Sequence, residues 1–330
     1  MVGRPVVPIL LGAGLLALSA CAGAPEAAEK KPASGESFPV EVTSCGHTAT
    51  ITAKPERAVT LNQGATEVVL ALGLEDQLAG TAYLDDEVPA KWQDAYESVD
   101  VLSEEYPTRD QMLETEPDFA YASYASAFEK KAVGTQAELE KAGAASYVSP
   151  FGCPDEVDRP EPSFEAVWDE MDAVAEAFGA PARAARFRAE QERLLEGLEE
   201  TQAGDDLSVL WYDSGDKTPF VGAGGGGPQL ILDAAGADNI FEDVEGGWGD
   251  ASWEKVIDAD PDVIVLADAS WSTAEDKIAY LEKDPLLKQL RAVRAERYVT
   301  IPFSESTPGV RLADGAASVS DQLEKLDLSK

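Results

Sequence analysis

The chain has 330 residues, 44% of them hydrophobic, enough for two domains with apolar cores. Its 62 acidic against 26 basic residues give a formal net charge of −36, which excludes nucleic acid as a partner, because binding it needs a basic face. One histidine and three cysteines are too few, and too badly spaced, for an ordinary metal site.

Residues 1–20 carry Arg4 as their only charge, followed by the apolar run PVVPILLGAGLLALSA. The run is short and glycine-rich for a membrane span, so it reads as a secretory signal peptide. It ends at Leu18-Ser19-Ala20-Cys21, which resembles a bacterial lipobox. That resemblance implies cleavage before Cys21 and acylation of Cys21, anchoring the protein in the lipid bilayer. Residues 21–37 lack apolar periodicity and read as a flexible tether, which places a soluble body at the outer face of the cell membrane. With Cys21 lipidated, Cys45 and Cys153 remain in an oxidising compartment. A disulfide between them is the expectation, two separate buried thiols the alternative.

From 38 to 53, FPVEVTSCGHTATITA alternates on either side of Cys45-Gly46 and predicts a hairpin. AVTLN (58–62) predicts a strand, ATEVVLALG (65–73) a helix stopped at Gly73, and LAGTAY (78–83) another strand. Helix, Pro117-Asp118 and strand follow over 108–123, then helix, Gly143 and strand over 138–150. Such alternation implies a mostly parallel sheet with covering helices. In 163–179, Phe164, Val167, Trp168, Met171, Val174, Ala175 and Phe178 share one helical face, between Ser163 as N-cap and Gly179 as stop. Pro181 opens a further helix over 182–202, about 33 Å long and able to bridge two lobes.

After Gly204 the pattern returns, with a strand at 207–214, a helix at 228–236, helix and strand around Pro261 over 252–268, a strand at 297–306 and a terminal helix at 310–326. The Pro-Asp segments ETEPDFAYAS and DADPDVIVLAD are counterparts in the two halves. The expected organisation is an α/β fold of two Rossmann-like lobes, 38–180 and 204–330, joined by one long rigid helix at 181–203, with a ligand cleft between them.

Taken together, ERAVTLNQGATEVVLALG (56–73), LETEPDFAYAS (113–123), GPQLILDAAGADNIF (227–241), IDADPDVIVLAD (257–268) and PGVRLADG (308–315) resemble the substrate-binding proteins of ABC importers for ferric siderophores, cobalamin and haem. The likeness runs over about 38–328 and is closest to an actinobacterial branch, part of which is taken to bind a deazaflavin coenzyme precursor. It implies a monomer that traps one ligand between its lobes and hands it to a permease driven by ATPase subunits.

Gly222, Gly224 and Gly227 satisfy G-x-G-x-x-G, the pattern of a pyrophosphate-binding loop. They follow Thr-Pro-Phe-Val rather than a strand end, and Pro228 stands where a P-loop would continue. A turn at the cleft edge is expected instead, with the helix N-terminus open to an anionic ligand group. No catalytic role is expected: the single histidine, His47, lies in the hairpin, away from any serine or cysteine nucleophile at a strand end. A chelatase-like enzyme and a non-transport surface lipoprotein are the remaining alternatives.

Ligands of open α/β sheets bind beyond the carboxyl ends of the strands. That rule selects Gln63, Tyr83, Tyr124 and Phe151 in the first lobe and Trp211, Tyr212, Trp248, Trp271, Phe303 and Arg311 in the second. Trp168 and Trp253, on helix faces, are assigned to the core. The resemblance implies that Arg311 faces the cleft and pairs with a ligand carboxylate or phosphate; a surface salt bridge is the alternative. With only Arg311 and Lys217 as cations, a roughly neutral ferric hydroxamate or a singly contacted anion, such as the deazaflavin precursor, fits better than a trianionic catecholate. A corrinoid, or haem ligated by Tyr124 or Tyr212, is a further possibility. The resemblance also implies one acidic residue per lobe that meets permease arginines. The motifs carry these to Asp110 and Asp233, with Glu67 and Glu254 as substitutes.

Overall fold

The computed structural model describes residues 38–84, 86–154, 157, 159–326 and 328. The expected signal peptide, Cys21 and the tether lie outside the described residues.

Val40–Ser44 (β1) and His47–Ile51 (β2) form an antiparallel hairpin that turns at Cys45 and Gly46, both at positive φ. Alternate residues Val40, Val42, Ala49 and Ile51 are buried, so the hairpin lies with one face on the body. Cys45 in its turn is joined to Cys153 by a disulfide that spans 108 residues of sequence.

Next come Ala58–Leu61 (β3), Gln63–Ala71 (α1), Leu78–Ala82 (β4), Gln93–Glu97 (α2), Val101–Ser103 (β5), Arg109–Glu114 (α3), Phe119–Ala122 (β6), Gln136–Lys141 (α4) and Ala145–Val148 (β7). The strands from β3 onward pair in parallel in the order β5-β4-β3-β6-β7. Every residue of β3 and β6 is buried, as central strands with helices on both faces require. Thr108 with Gln111, and Thr135 with Glu138, close capping boxes that start α3 and α4.

Phe164–Ala177 (α5) begins at Ser163, whose hydroxyl accepts from the Ala166 amide, and its apolar stripe is buried. Pro181–Thr201 (α6) follows, with Pro181 in its first turn and Gln202 in the left-handed region at its end. Only Ala184, Gln191 and Leu198 of α6 are buried. Polar ties hold it instead. Arg183 Nη1 donates to the Leu72 carbonyl at 2.9 Å. Gln191 Nε2 donates to the Val310 carbonyl at 3.0 Å, while its Oε1 accepts from Trp168 Nε1 at 3.0 Å. One helix is thus fastened to both lobes, which restrains any hinge.

The second lobe contains Ser208–Ser214 (β8), Phe220–Gly222 (β9), Gly227–Ala235 (α7), Asp238–Asn239 (β10), Trp248–Asp250 (β11), Trp253–Ala259 (α8), Val263–Asp268 (β12), Ala274–Lys283 (α9), Arg291–Arg294 (α10), Tyr298–Pro302 (β13) and Leu312–Glu324 (α11). Its sheet runs β11-β9-β8-β12-β13, with β10 beside the start of β8. β8, β12 and β13 are parallel, whereas β9 and β11 are antiparallel additions at one edge. Neighbouring residues of β8 enter opposite cores: Trp211 packs with Ile231, Leu312 and Val319, and Tyr212 with Phe241, Val256 and Leu281.

The glycine run before α7 is a close backbone contact. A Cβ on Gly224 would run into the Glu242 carbonyl oxygen, and one on Gly227 into that of Ser306. These glycines are therefore accounted for by close approach of backbone to backbone. Among the described residues, no helix is long and apolar enough to cross a membrane.

Candidate functional site

The carboxyl ends of the two sheets face each other across a cavity of about 270 Å³. In the first lobe its wall is built by the start of α1, by Ser123 and Tyr124 after β6, and by Ser149 and Phe151 after β7. β3 and β6 are the neighbours at which the strand order reverses, the usual place for a ligand in an open sheet. In the second lobe the wall is the loop after β12, Asp268 to Trp271, and the segment after β13, Phe303 to Arg311.

Of the residues selected from sequence, Gln63, Tyr124, Phe151, Trp271, Phe303 and Arg311 line this cavity. Tyr124 and Trp271 are 55% and 63% exposed, so two large rings stand open at its mouth. Trp248 lies behind them: Phe303 sits between it and Trp271, with ring centres 6.1 and 5.4 Å away. Three selected residues lie elsewhere. Trp211 and Tyr212 are buried in the two cores of the second lobe, because a strand covered on both faces buries odd and even positions alike. Tyr83 packs edge-on against Tyr106 at 4.7 Å, outside the cavity wall. Lys217 is exposed in the β8–β9 turn and also misses the wall. Trp168 is buried and Trp253 half-buried against Tyr212 and Tyr280.

Arg311, the residue before α11, is 5% exposed. Its Nη1 lies 3.4 Å from Glu67 Oε1 and 3.6 Å from Asp86 Oδ2, both in the first lobe. Its Nη2 lies 3.1 Å from Glu305 Oε1. The salt bridge is therefore buried and joins the lobes, rather than lying on the surface. Ser304 donates to Asp86, and Lys91 pairs with Asp314 at 2.5 Å, adding two further ties between lobes. Burial outweighs the guanidinium and the Gln63 hydrogen bond at Glu67, whose carboxyl is pushed up to about 7. Burial likewise raises Glu305 against the opposing pull of Arg311.

A second buried carboxyl was not anticipated. Glu170 of α5 accepts from the Tyr121 hydroxyl at 2.5 Å and borders the cavity. Burial raises its pKa, while hydrogen bonds from Tyr121 and Ser149 pull it down. A signal for it existed, since Glu170 occupies the stripe defined by Val167, Met171 and Val174, where an apolar residue belongs. Glu67 has a similar signal as the sole charge in QGATEVVLA. Asp86, Asp268 and Glu305 have none.

Asp110 is exposed in the first turn of α3, seven residues before Pro117. Its structural counterpart is Glu254, exposed in the first turn of α8 and seven residues before Pro261. Asp233 is exposed instead near the end of α7, the end that meets Gly204 at the start of the second lobe, away from the cleft. Glu67, the other substitute, is buried in the cleft and cannot meet a partner protein.

Two lobes on one long helix, closing on a cavity at their strand ends, make a solute trap. Residues 59–305 match the family model described as periplasmic binding protein. The chain belongs to that family. This binding protein is similar to a periplasmic binding protein from Veillonella parvula, at 28% identity and TM-score 0.73, over 87% of this chain and 98% of that one. It shares its fold with a protein of an ABC-type Fe3+-hydroxamate transport system from Saccharomonospora viridis, at 21% identity and TM-score 0.67, over 87% and 99% of the two chains. It also shares its fold with a periplasmic haem-binding protein from Pseudomonas aeruginosa, at 22% identity and TM-score 0.62, over 82% and 93%. No curated protein matches the chain. None of these likenesses singles out an actinobacterial branch or a corrinoid ligand. Members of the family bind solutes for transport and are not catalytic. Among the described residues, no group of three or more histidine, cysteine or acidic side chains is placed to hold a metal ion.

Proposed function

We propose that this binding protein is the extracytoplasmic component of an ABC importer that captures a large metal chelate, a ferric siderophore of hydroxamate type, and delivers it to a membrane permease. The observation that carries the reading is the cleft wall: exposed aromatic rings from both lobes, Tyr124 and Trp271, around a cavity in which the one guanidinium among the described lining residues is already held by carboxylates. Aromatic walls suit a bulky, shielded complex. The likeness to a protein of an Fe3+-hydroxamate transport system supports the same class. Acylated Cys21 would hold the protein at the outer face of the membrane, and replacing Cys21 with alanine is expected to release it into the medium.

Titration of tryptophan fluorescence with a ferric trihydroxamate, paired with native mass spectrometry, tests the reading. One complex bound per chain, with quenching through Trp271, is expected. Absence of binding, with haem or a deazaflavin bound instead, would refute it. For docking, Asp110 and Glu254 are the matched pair of the two lobes. Reversing both to arginine is expected to abolish uptake while soluble affinity persists; unimpaired uptake would show that the permease reads other residues, Asp233 among them.

A further inference from the structure

The cleft wall carries Glu67, Asp86, Glu170 and Asp268, and among the described residues that line it Arg311 is the one cation. The two terminal nitrogens of Arg311 are already paired, and its buried Nε has no hydrogen-bond partner among the described residues. Glu67, Asp86 and Glu305 surround its guanidinium, and only 6% of its side chain is exposed. An anionic ligand would have to displace Glu67 and Glu305 and leave them buried without their cation, which is costly. Two lysines on neighbouring segments are committed elsewhere. Lys91 is paired with Asp314, and Lys277 donates to the Ala267 and Ser272 carbonyls beneath the Trp271 loop.

Two of the four wall carboxylates reach solvent. The Asp86 side chain is 38% exposed. Asp268 is exposed at the end of β12, where one oxygen accepts from the Ala274 amide at 2.7 Å. They belong to opposite lobes, and the Tyr124 and Trp271 rings stand at the same mouth. Carboxylates beside exposed aromatic rings attract a cation both by charge and through the ring quadrupole.

We infer that this cleft selects a chelate that presents a positive charge, such as a pendant ammonium group, to Asp86 and Asp268, and that it discriminates against anionic chelates. The inference rests on the reading of the cleft as a metal-chelate site and deepens it, because a ferric trihydroxamate core is itself neutral and the charge of its arms is free to vary.

The sign of the pH dependence follows from what faces Glu67. Gln63 lies on its own helix, Arg311 and Asp86 oppose it, and Glu305 flanks Arg311. A cation entering the cleft favours the ionised form of Glu67, so binding releases a proton and strengthens as pH rises. An anion that engages Arg311 would strip Glu67 of its partner, so binding would take up protons and weaken as pH rises.

The test uses the mature protein and the ferric complexes of one linear trihydroxamate with its terminal amine free, acetylated or succinylated. Expected affinities fall in that order, by tenfold or more from the ammonium to the succinyl form, with the gap narrowing in 0.5 M salt. The ammonium form is expected to bind more tightly at pH 8 than at pH 6. Asp86→Asn and Asp268→Asn are each expected to shrink the ratio of ammonium-form to acetyl-form affinity. Equal or reversed order, or weaker binding of the ammonium form at pH 8, would overturn the charge assignment while the chelate reading stands. Failure of all three to bind, or tight binding of a phosphate-bearing deazaflavin instead, would overturn both.

Discussion

Arg311 of the second lobe and Glu67 of the first meet across the cleft, Nη1 to Oε1 at 3.4 Å, with side chains only 6% and 4% exposed. Two groups separated by 244 residues thus share one buried charge pair that also latches the lobes. Removal of either partner is expected to affect the fold as well as the candidate ligand site.

Arg311→Met leaves Glu67 and Glu305 buried without their cation. Loss of one partner of such a pair costs about 3–5 kcal/mol when the other stays charged. Because the Glu67 carboxyl already lies at about 7, it can take up a proton instead. Denaturant unfolding is therefore expected to show a larger loss at pH 8 than at pH 6. The double variant with Glu67→Gln is expected to recover much of it. An equal loss at both pH values would mean that Glu67 is not the partner that matters.

Glu67 also predicts a slope for the unaltered protein. Its folded pKa is raised above the ordinary carboxyl value of 4.5, so the native state holds more protons than the unfolded chain. Its contribution to stability is fully present below about 4.5 and is lost as pH rises through about 7. The stability difference between native protein and Glu67→Gln, followed from pH 4 to 8, is expected to change in that window by about 3 kcal/mol at most. A flat difference would contradict the shift.

The Cys45–Cys153 bond closes a long loop and ties the hairpin to the segment after β7 that carries Phe151 into the cavity. Reduction, or Cys45→Ser with Cys153→Ser, is expected to cost about 2–5 kcal/mol. Ligand affinity is expected to drop as well, since Phe151 loses its anchor. Thermal unfolding with and without reductant checks the first effect, titration the second.

Two glycines should respond oppositely to alanine. Gly224→Ala forces the backbone away from the Glu242 carbonyl and is expected to destabilise the second lobe. Gly197 lies within α6 with open space around it, so Gly197→Ala is expected to stabilise by about 0.5–1 kcal/mol. Melting temperatures of the two variants give the comparison.

Several elements were legible because the signal is local. Ser163 and Gly179 bound α5, Pro181 starts α6, and the strands flanking Pro117 and Pro261 announce the internal repeat. β9 and β11 were not legible: three residues each carry too little periodicity, and their pairing is set by the glycine run packing on 242–247. α9 was passed over because its apolar positions are interrupted by charges, among them Lys277, which tertiary contacts bury.

The site was half legible. Tyr124, Trp271, Phe303 and Arg311 follow from counting to the ends of strands. Trp211 and Tyr212 were misplaced because aromatic content near a strand end does not reveal whether a covering helix waits on each face. Asp233 was matched by motif, whereas helix position pairs Asp110 with Glu254.

The sequence by itself determined the alternation of strands and helices, the two-lobe repeat and the bridging helix, because helix caps, proline positions and apolar periods act over a few residues. Only the tertiary structure decided the electrostatic character of the cleft. Glu67, Asp86, Glu305 and Arg311 come from three separate segments, and in so acidic a sequence only Glu67, the sole charge in its helix, stands out among these carboxylates. Their meaning comes from burial and from distances of 3–4 Å, those from Arg311 to Glu67 and Asp86 spanning the gap between lobes, which exist only after both sheets have folded and faced each other.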